Sequence, residues 1–114
     1  MPRFKRRMPL HVSDVTGFTC DIGPGGLCLE SSSSFLLGEI LNVRVCAESV
    51  VHDLCGVVQW SRHLPESNEG EMSFRCGLRF LAAGEEWFAL CLEEHQRRIT
   101  ADLVDSLPLP VGED

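Results

Sequence analysis

In VTGFTCDIGPGGLCLE, residues 15–30, two short runs of strand-forming residues, VTGFTC (15–20) and GLCLE (26–30), face each other across DIGPGG (21–26). Three glycines and Pro24 between two such runs mark a tight turn, because glycine tolerates positive φ and lets another backbone or a ligand come close. A hairpin is therefore expected here, and the chain on either side keeps its rhythm.

Downstream, SSSSFLLGE is a loop leading into ILNVRVCA (40–47), where Leu41, Val43 and Val45 alternate with Asn42 and Arg44. Such period-two alternation predicts a half-buried strand. VVHDLCGVVQW (50–60) is long and β-branched, with Gly56 at a bulge or bend. LPESNEGE (64–71) reads as a polar turn. FRCGLRF (74–80) alternates again, with Phe74, Cys76, Leu78 and Phe80 on one face and Arg75, Gly77 and Arg79 on the other. Short strands at hairpin spacing point to an antiparallel barrel or sandwich. After Ala83 the period changes. GEEWFALCLEEHQRRITADLVDSL has acids in its first turn, no proline before Pro108, and Trp87, Leu90, Cys91 and Leu92 near one another on a helical wheel. It predicts one C-terminal helix packed on the strands. PLPVGED (108–114) reads as a loose tail.

At 114 residues the chain supports one core and one domain. Its charge is uneven: RFKRR (3–7) holds four of the ten basic residues, whereas from Asp14 onward six basic residues stand against all 17 acids. A nucleic-acid polymer needs an extended basic face; a small anion held at one place fits this distribution better. The basic N-terminus is followed by MPLHVSD rather than an apolar segment with a cleavage site, and no run of about 18 apolar residues exists. A cytoplasmic protein with no membrane insertion is expected. The six cysteines, Cys20, Cys28, Cys46, Cys55, Cys76 and Cys91, mostly sit in apolar runs and are expected as free, packed thiols rather than a disulfide framework.

Catalytic and metal patterns are weak. His11, His52, His63 and His95 are scattered, and no nucleophile elbow is present. Cys91 with His95, and His52 with Cys55, are spaced as half-sites for a metal, but neither has the paired spacing of a zinc site. DIGPGG lacks the lysine and following helix of a phosphate loop. No enzyme activity, metal or cofactor is expected. Arg3 and Arg7, four apart, carry guanidinium forks suited to bidentate contact with phosphate.

RxxxR at Arg3 and Arg7, followed by DxGxxG at Asp21, Gly23 and Gly26, resembles the motif pair of PilZ domains, bacterial receptors for cyclic di-GMP. GLCLE, the LLGE entry into the next strand, VVQW (57–60), and GLRF (77–80) before a C-terminal helix extend the resemblance over most of the chain. It implies a mostly β fold, a six-stranded antiparallel barrel with an abbreviated first strand and one C-terminal helix. The implied layout is a flexible basic arm at 1–8, a single domain at 9–107 with its barrel at about 9–82 and helix at about 84–104, and the tail. By the same resemblance Arg3 and Arg7 bind phosphate and stack on guanine, Asp21 accepts hydrogen bonds from a guanine, and Gly26 leaves room for it. Arg6 adds charge. Trp60 supplies an aromatic wall, although a place in the core is weighed above this. The arm would order on cyclic di-GMP and signal to a protein partner.

Two departures bear on function. The motif serine is Gly23 here, and a lost neutral hydrogen bond is worth roughly 1 kcal/mol, about fivefold in affinity. The 13 residues between Arg7 and Asp21 are fewer than is usual in the family, although extended chain of that length spans ~40 Å. Both departures motivate an alternative: an adaptor of PilZ type that acts by protein contact without nucleotide.

Overall fold

The computed structural model describes residues 3–64 and 72–106. Seven strands and a helix follow in order: β1 (Phe4–Lys5), β2 (Pro9–Val12), β3 (Val15–Gly23), β4 (Gly26–Ser31), β5 (Ile40–Ala47), β6 (Val50–His63), β7 (Phe74–Ala82) and α1 (Glu85–Ser106). All strand pairs are antiparallel, in the order β1-β3-β2-β5-β6-β7-β4, and β4 returns to pair with β3. Strands β2 to β7 thus close a six-stranded barrel, the architecture expected from the sequence, and β1 is an extra strand on the far end of β3. The expected tail at 108–114 and residues 65–71 of the expected polar turn lie outside the described residues.

Alternation places the core. Leu41, Val43, Val45 and Ala47 of β5 point inward, as do His52, Leu54 and Val58 of β6, Cys76 and Leu78 of β7, and Leu27 and Leu29 of β4. Closing a barrel needs bends. The 14-residue β6 supplies them through register shifts at Cys55/Gly56 and Val58/Trp60, the first at the expected glycine. The β3–β4 turn differs from the sequence expectation. Its loop is only Pro24-Gly25, and none of its glycines takes a positive φ. Gly26 serves close approach instead: a Cβ there would lie 2.1 Å from the Leu78 carbonyl oxygen of the neighbouring strand.

Residues 3–8, expected as a flexible arm, are laid along β3. Phe4 is opposite Ile22 and Lys5 opposite Asp21; Pro9 is opposite Phe18, so one extra arm residue is accommodated between the two stretches. Thr19, fully buried, fills that irregularity. Its hydroxyl accepts from the Met8 N–H (2.8 Å) and donates to the Arg6 carbonyl, while the Arg6 N–H bonds the Cys20 carbonyl and the Thr19 N–H bonds that of Met8. Side chains of Phe4, Met8, Leu10 and Val12 enter the core.

Helix α1 closes one end of the barrel with Trp87. The buried indole donates its N–H to the Gly23 carbonyl (3.0 Å) and meets Phe80 and His52 edge-on at 5.7 and 5.4 Å. Cys91 is buried beside it and Leu90 packs on the cluster, but Leu92, grouped with them on the sequence, faces outward. Residues 96–104 are all exposed, so the second half of α1 projects from the barrel and the molecule measures 62 × 34 × 25 Å. No helix among the described residues is long and apolar enough to cross a membrane.

The hydroxyl of Thr19 carries a testable load. Thr19→Val keeps the shape but leaves the Met8 N–H and Arg6 carbonyl unpaired, and should lower unfolding free energy by about 2 kcal/mol; Thr19→Ser should lose less. Urea denaturation of the three proteins measures this.

Candidate functional site

A β-bulge builds the site. On β3 the register shifts between Thr19 and Asp21, so that Thr19 and Ile22 point inward while Cys20 and Asp21 are both on the outer side, opposite Cys28 of β4. Arg3 donates from Nε and Nη2 to Asp21 Oδ1 at 3.0 and 2.7 Å. Arg7 lies 4.0 Å over the Phe18 ring and places Nη1 3.5 Å from Glu30 Oε1. Arg75 of β7 bonds the other Glu30 oxygen, and its own Nε–H is buried with no hydrogen-bond partner. Three cations, Arg3, Arg7 and Arg75, thus share two carboxylates on one outer face of the barrel, with Lys5 opposite Asp21 on the neighbouring strand.

Electrostatics follow from that crowding. Burial works to raise the Glu30 carboxyl, but the Arg75 hydrogen bond and charge, Cys20 and the Arg7 charge outweigh it, leaving Glu30 below its ordinary value. The Arg75 guanidinium is raised, chiefly by its bond to Glu30. Cys20 and Cys28 touch across the bulge. Their hydrogen bond, with burial, pushes the Cys20 thiol up; the same bond holds Cys28 below its ordinary value, with burial opposing and Arg75 and Arg3 assisting. All six cysteines are free.

Of the residues singled out on the sequence, Arg3, Arg7 and Asp21 are brought together. Gly23 and Gly26 lie at the end of the same hairpin, both buried and both in backbone roles: Gly23 offers its carbonyl to Trp87, and Gly26 packs on β7. Trp60 is not in the core. It is 39% exposed and lies over Gly77, where a Cβ would fall 2.1 Å from the indole nitrogen, with Arg62 stacked on it at 5.5 Å. Cross-strand pairing sets Trp60, Gly77, Cys28 and Asp21 in one row, so the indole stands three strands from Asp21, roughly 14 Å away.

Arg6 turns the other way. Its Nη1 bonds Glu94 Oε1 (3.0 Å) on α1, and Glu94, whose side chain is only 7% exposed, also receives Arg98 Nε (3.2 Å) and lies 3.5 Å from Arg97. Arg98 donates in addition to the Lys5 carbonyl (3.0 Å) and sits over the Phe4 ring, which meets His95. The histidines weighed for metal half-sites are thus packed on aromatics, His95 on Phe4 and His52 on Trp87. Sequence reasoning missed Arg75 and Glu30. Their signal was present: both stand on the outward side of strands whose inward positions are apolar.

The site is a face rather than a cleft. A groove of about 620 Å³, lined by His11, Asn42, Arg44, Asp53 and Leu54, lies elsewhere and contains none of these residues.

No protein-family model matches the chain, and no curated protein matches it in sequence. Among solved structures it is similar to the Bacillus subtilis inhibitor of motility (MotI/DgrA), with a TM-score of 0.69 at 17% identity over 87% of this chain. The match covers 49% of the other protein, so the chain spans about half its length. At that identity the likeness is one of fold.

Glu30 makes the pH dependence specific. A carboxyl held low in the folded state contributes stability that is fully present above its unfolded value, near 4.5, and is lost as pH falls through the folded value. Wild type should exceed Glu30→Gln in denaturant midpoint at neutral pH, and the gap should close in acid; a gap that persists or widens in acid contradicts the assignment.

Proposed function

We propose that the chain is a cytoplasmic receptor module for cyclic di-GMP that performs no catalysis and signals through a protein partner. The observation that carries this reading is the convergence of Arg3, Arg7 and Asp21 on one outer face, where Arg75 also stands and cations outnumber carboxylates. A ligand with phosphodiester charges suits such a face. The likeness in fold to MotI/DgrA, a protein described as an inhibitor of motility, supports a signalling role.

The proposed exchange is inexpensive. Arg3 and Asp21 are 43% and 35% exposed, and ion pairs of that kind contribute about 0–1 kcal/mol each. Phosphate oxygens take the Arg3 and Arg7 forks from Asp21 and Glu30. The freed Asp21 carboxylate accepts hydrogen bonds from a guanine edge, and a guanidinium plane stacks on a base. Arg75, with an unsatisfied Nε–H, holds Glu30 when Arg7 leaves. Gly23 supplies no hydroxyl, which weakens binding about fivefold. Movement of Arg3 and Arg7 pulls on the same backbone whose Arg6 side chain and Lys5 carbonyl are fastened to Glu94 and Arg98, so α1 receives the signal.

A second reading rests on the pairing itself. Both motif arginines already have carboxylate partners, and the Gly23 carbonyl is committed to Trp87, a closed arrangement suited to an adaptor that works without nucleotide.

Titration calorimetry separates the two. The receptor reading expects micromolar or tighter binding of cyclic di-GMP, weakened at least tenfold by Arg3→Ala or Arg7→Ala, with no response to cyclic di-AMP or GTP. No heat from folded protein contradicts it and favours the adaptor.

A further inference from the structure

Helix α1 carries a second apolar face that the barrel does not use. Phe88, Leu92, Ile99 and Leu103 are 55%, 49%, 45% and 58% exposed. At 3.6 residues per turn they fall within roughly 60° of arc, about 110° from the direction of Trp87 and Cys91, which face the barrel. The stripe runs from the packed half of the helix onto its projecting half, and its intervals of four, seven and four residues keep the four side chains on one side of the helix.

We infer that this stripe pairs with the same stripe of a second copy of the chain, in antiparallel orientation about a two-fold axis between His95 and Gln96. The spacing is palindromic: the axis that sets Phe88 against the partner's Leu103 also sets Leu92 against the partner's Ile99, so two layers repeat on each side. Charge selects the same orientation. Residues 85–95 hold Glu85, Glu86, Glu93 and Glu94 with no Lys or Arg, whereas residues 96–104 hold Arg97 and Arg98 against one acid, Asp102. Parallel packing sets the exposed Glu85, Glu86 and Glu93 beside their own copies, whereas antiparallel packing separates them and opposes the helix dipoles; Glu94, Arg97 and Arg98 stay in their cluster against the arm. The buried area is adequate. Four half-exposed side chains supply on the order of 100 Å² each, and with flanking His95, Gln96 and Asp102 the two copies together bury roughly 1,000 Å², the low end of specific interfaces. The pair would set one barrel at each end, with both cationic faces clear of the seam.

Sedimentation velocity of the full chain tests this. At high micromolar concentration the mass should be twice the 12.7 kDa of one chain. Leu92→Glu or Ile99→Lys alone should weaken self-association about tenfold or more with an unchanged far-ultraviolet spectrum. Both on one chain should restore the dimer, because the antiparallel register sets each Glu against a Lys. Phe88→Glu, on the same stripe, replaces either single variant if that variant does not fold. A wild-type monomer, a dimer indifferent to these substitutions, or a double variant that stays monomeric overturns the proposal.

Discussion

The pairing of residues 4–12 with β3 is the constraint on which the rest of the structure depends. It supplies the barrel with β2, seals the core with Phe4, Met8 and Leu10, and fixes the basic segment in register with the strand that carries Asp21. Thr19 makes this possible where the register breaks, since the arm's extra residue would otherwise leave a buried N–H and carbonyl without partners. Arg6 and Arg7 lie in the irregular stretch between β1 and β2, and their side chains leave it on opposite sides. Arg7 goes to the outer face and Arg6 to the helix.

That division links a charged surface to a buried one. Glu94 is an acid held out of water, and a carboxylate in that position needs cations with good geometry. It has three, from Arg6, Arg97 and Arg98, one of which belongs to the arm. The Arg3–Asp21 pair is exposed and weakly stabilising, and Arg7 is an exposed side chain on a Glu30 that Arg75 also holds; Arg6, by contrast, bonds a buried acid. The outer face and α1 are therefore joined through three consecutive residues, Lys5, Arg6 and Arg7.

The barrel was legible because its signals are local: alternation in β5, β6 and β7, a glycine at a bend, a change of period after Ala83. The extra strand was not, because RFKRR reads as a solvated arm when charge is weighed before parity, although Phe4, Met8, Leu10 and Val12 all fall on even positions, with only Arg6 interrupting them. Trp60, for which the sequence favours the core, is turned outward over Gly77 beside a register shift. Glu94 was invisible in EEHQRR, where neighbouring acids look alike and only the helix's contact with the arm singles one out. Of the site, Arg3, Arg7 and Asp21 were readable from spacing. Alternation places Arg75 and Glu30 on outward positions, but their meeting was not readable, because strands distant in sequence bring them together.

The proposed exchange at the outer face is tested most directly by nuclear magnetic resonance of the side-chain Nε–H groups of Arg3, Arg6, Arg7 and Arg75 during addition of cyclic di-GMP. Saturable shifts of Arg3 and Arg7, with smaller changes at Arg6 and in the backbone amides around Glu94, are the predicted result. Unchanged arginine signals, or shifts confined to the groove around His11, Arg44 and Asp53, would contradict the account.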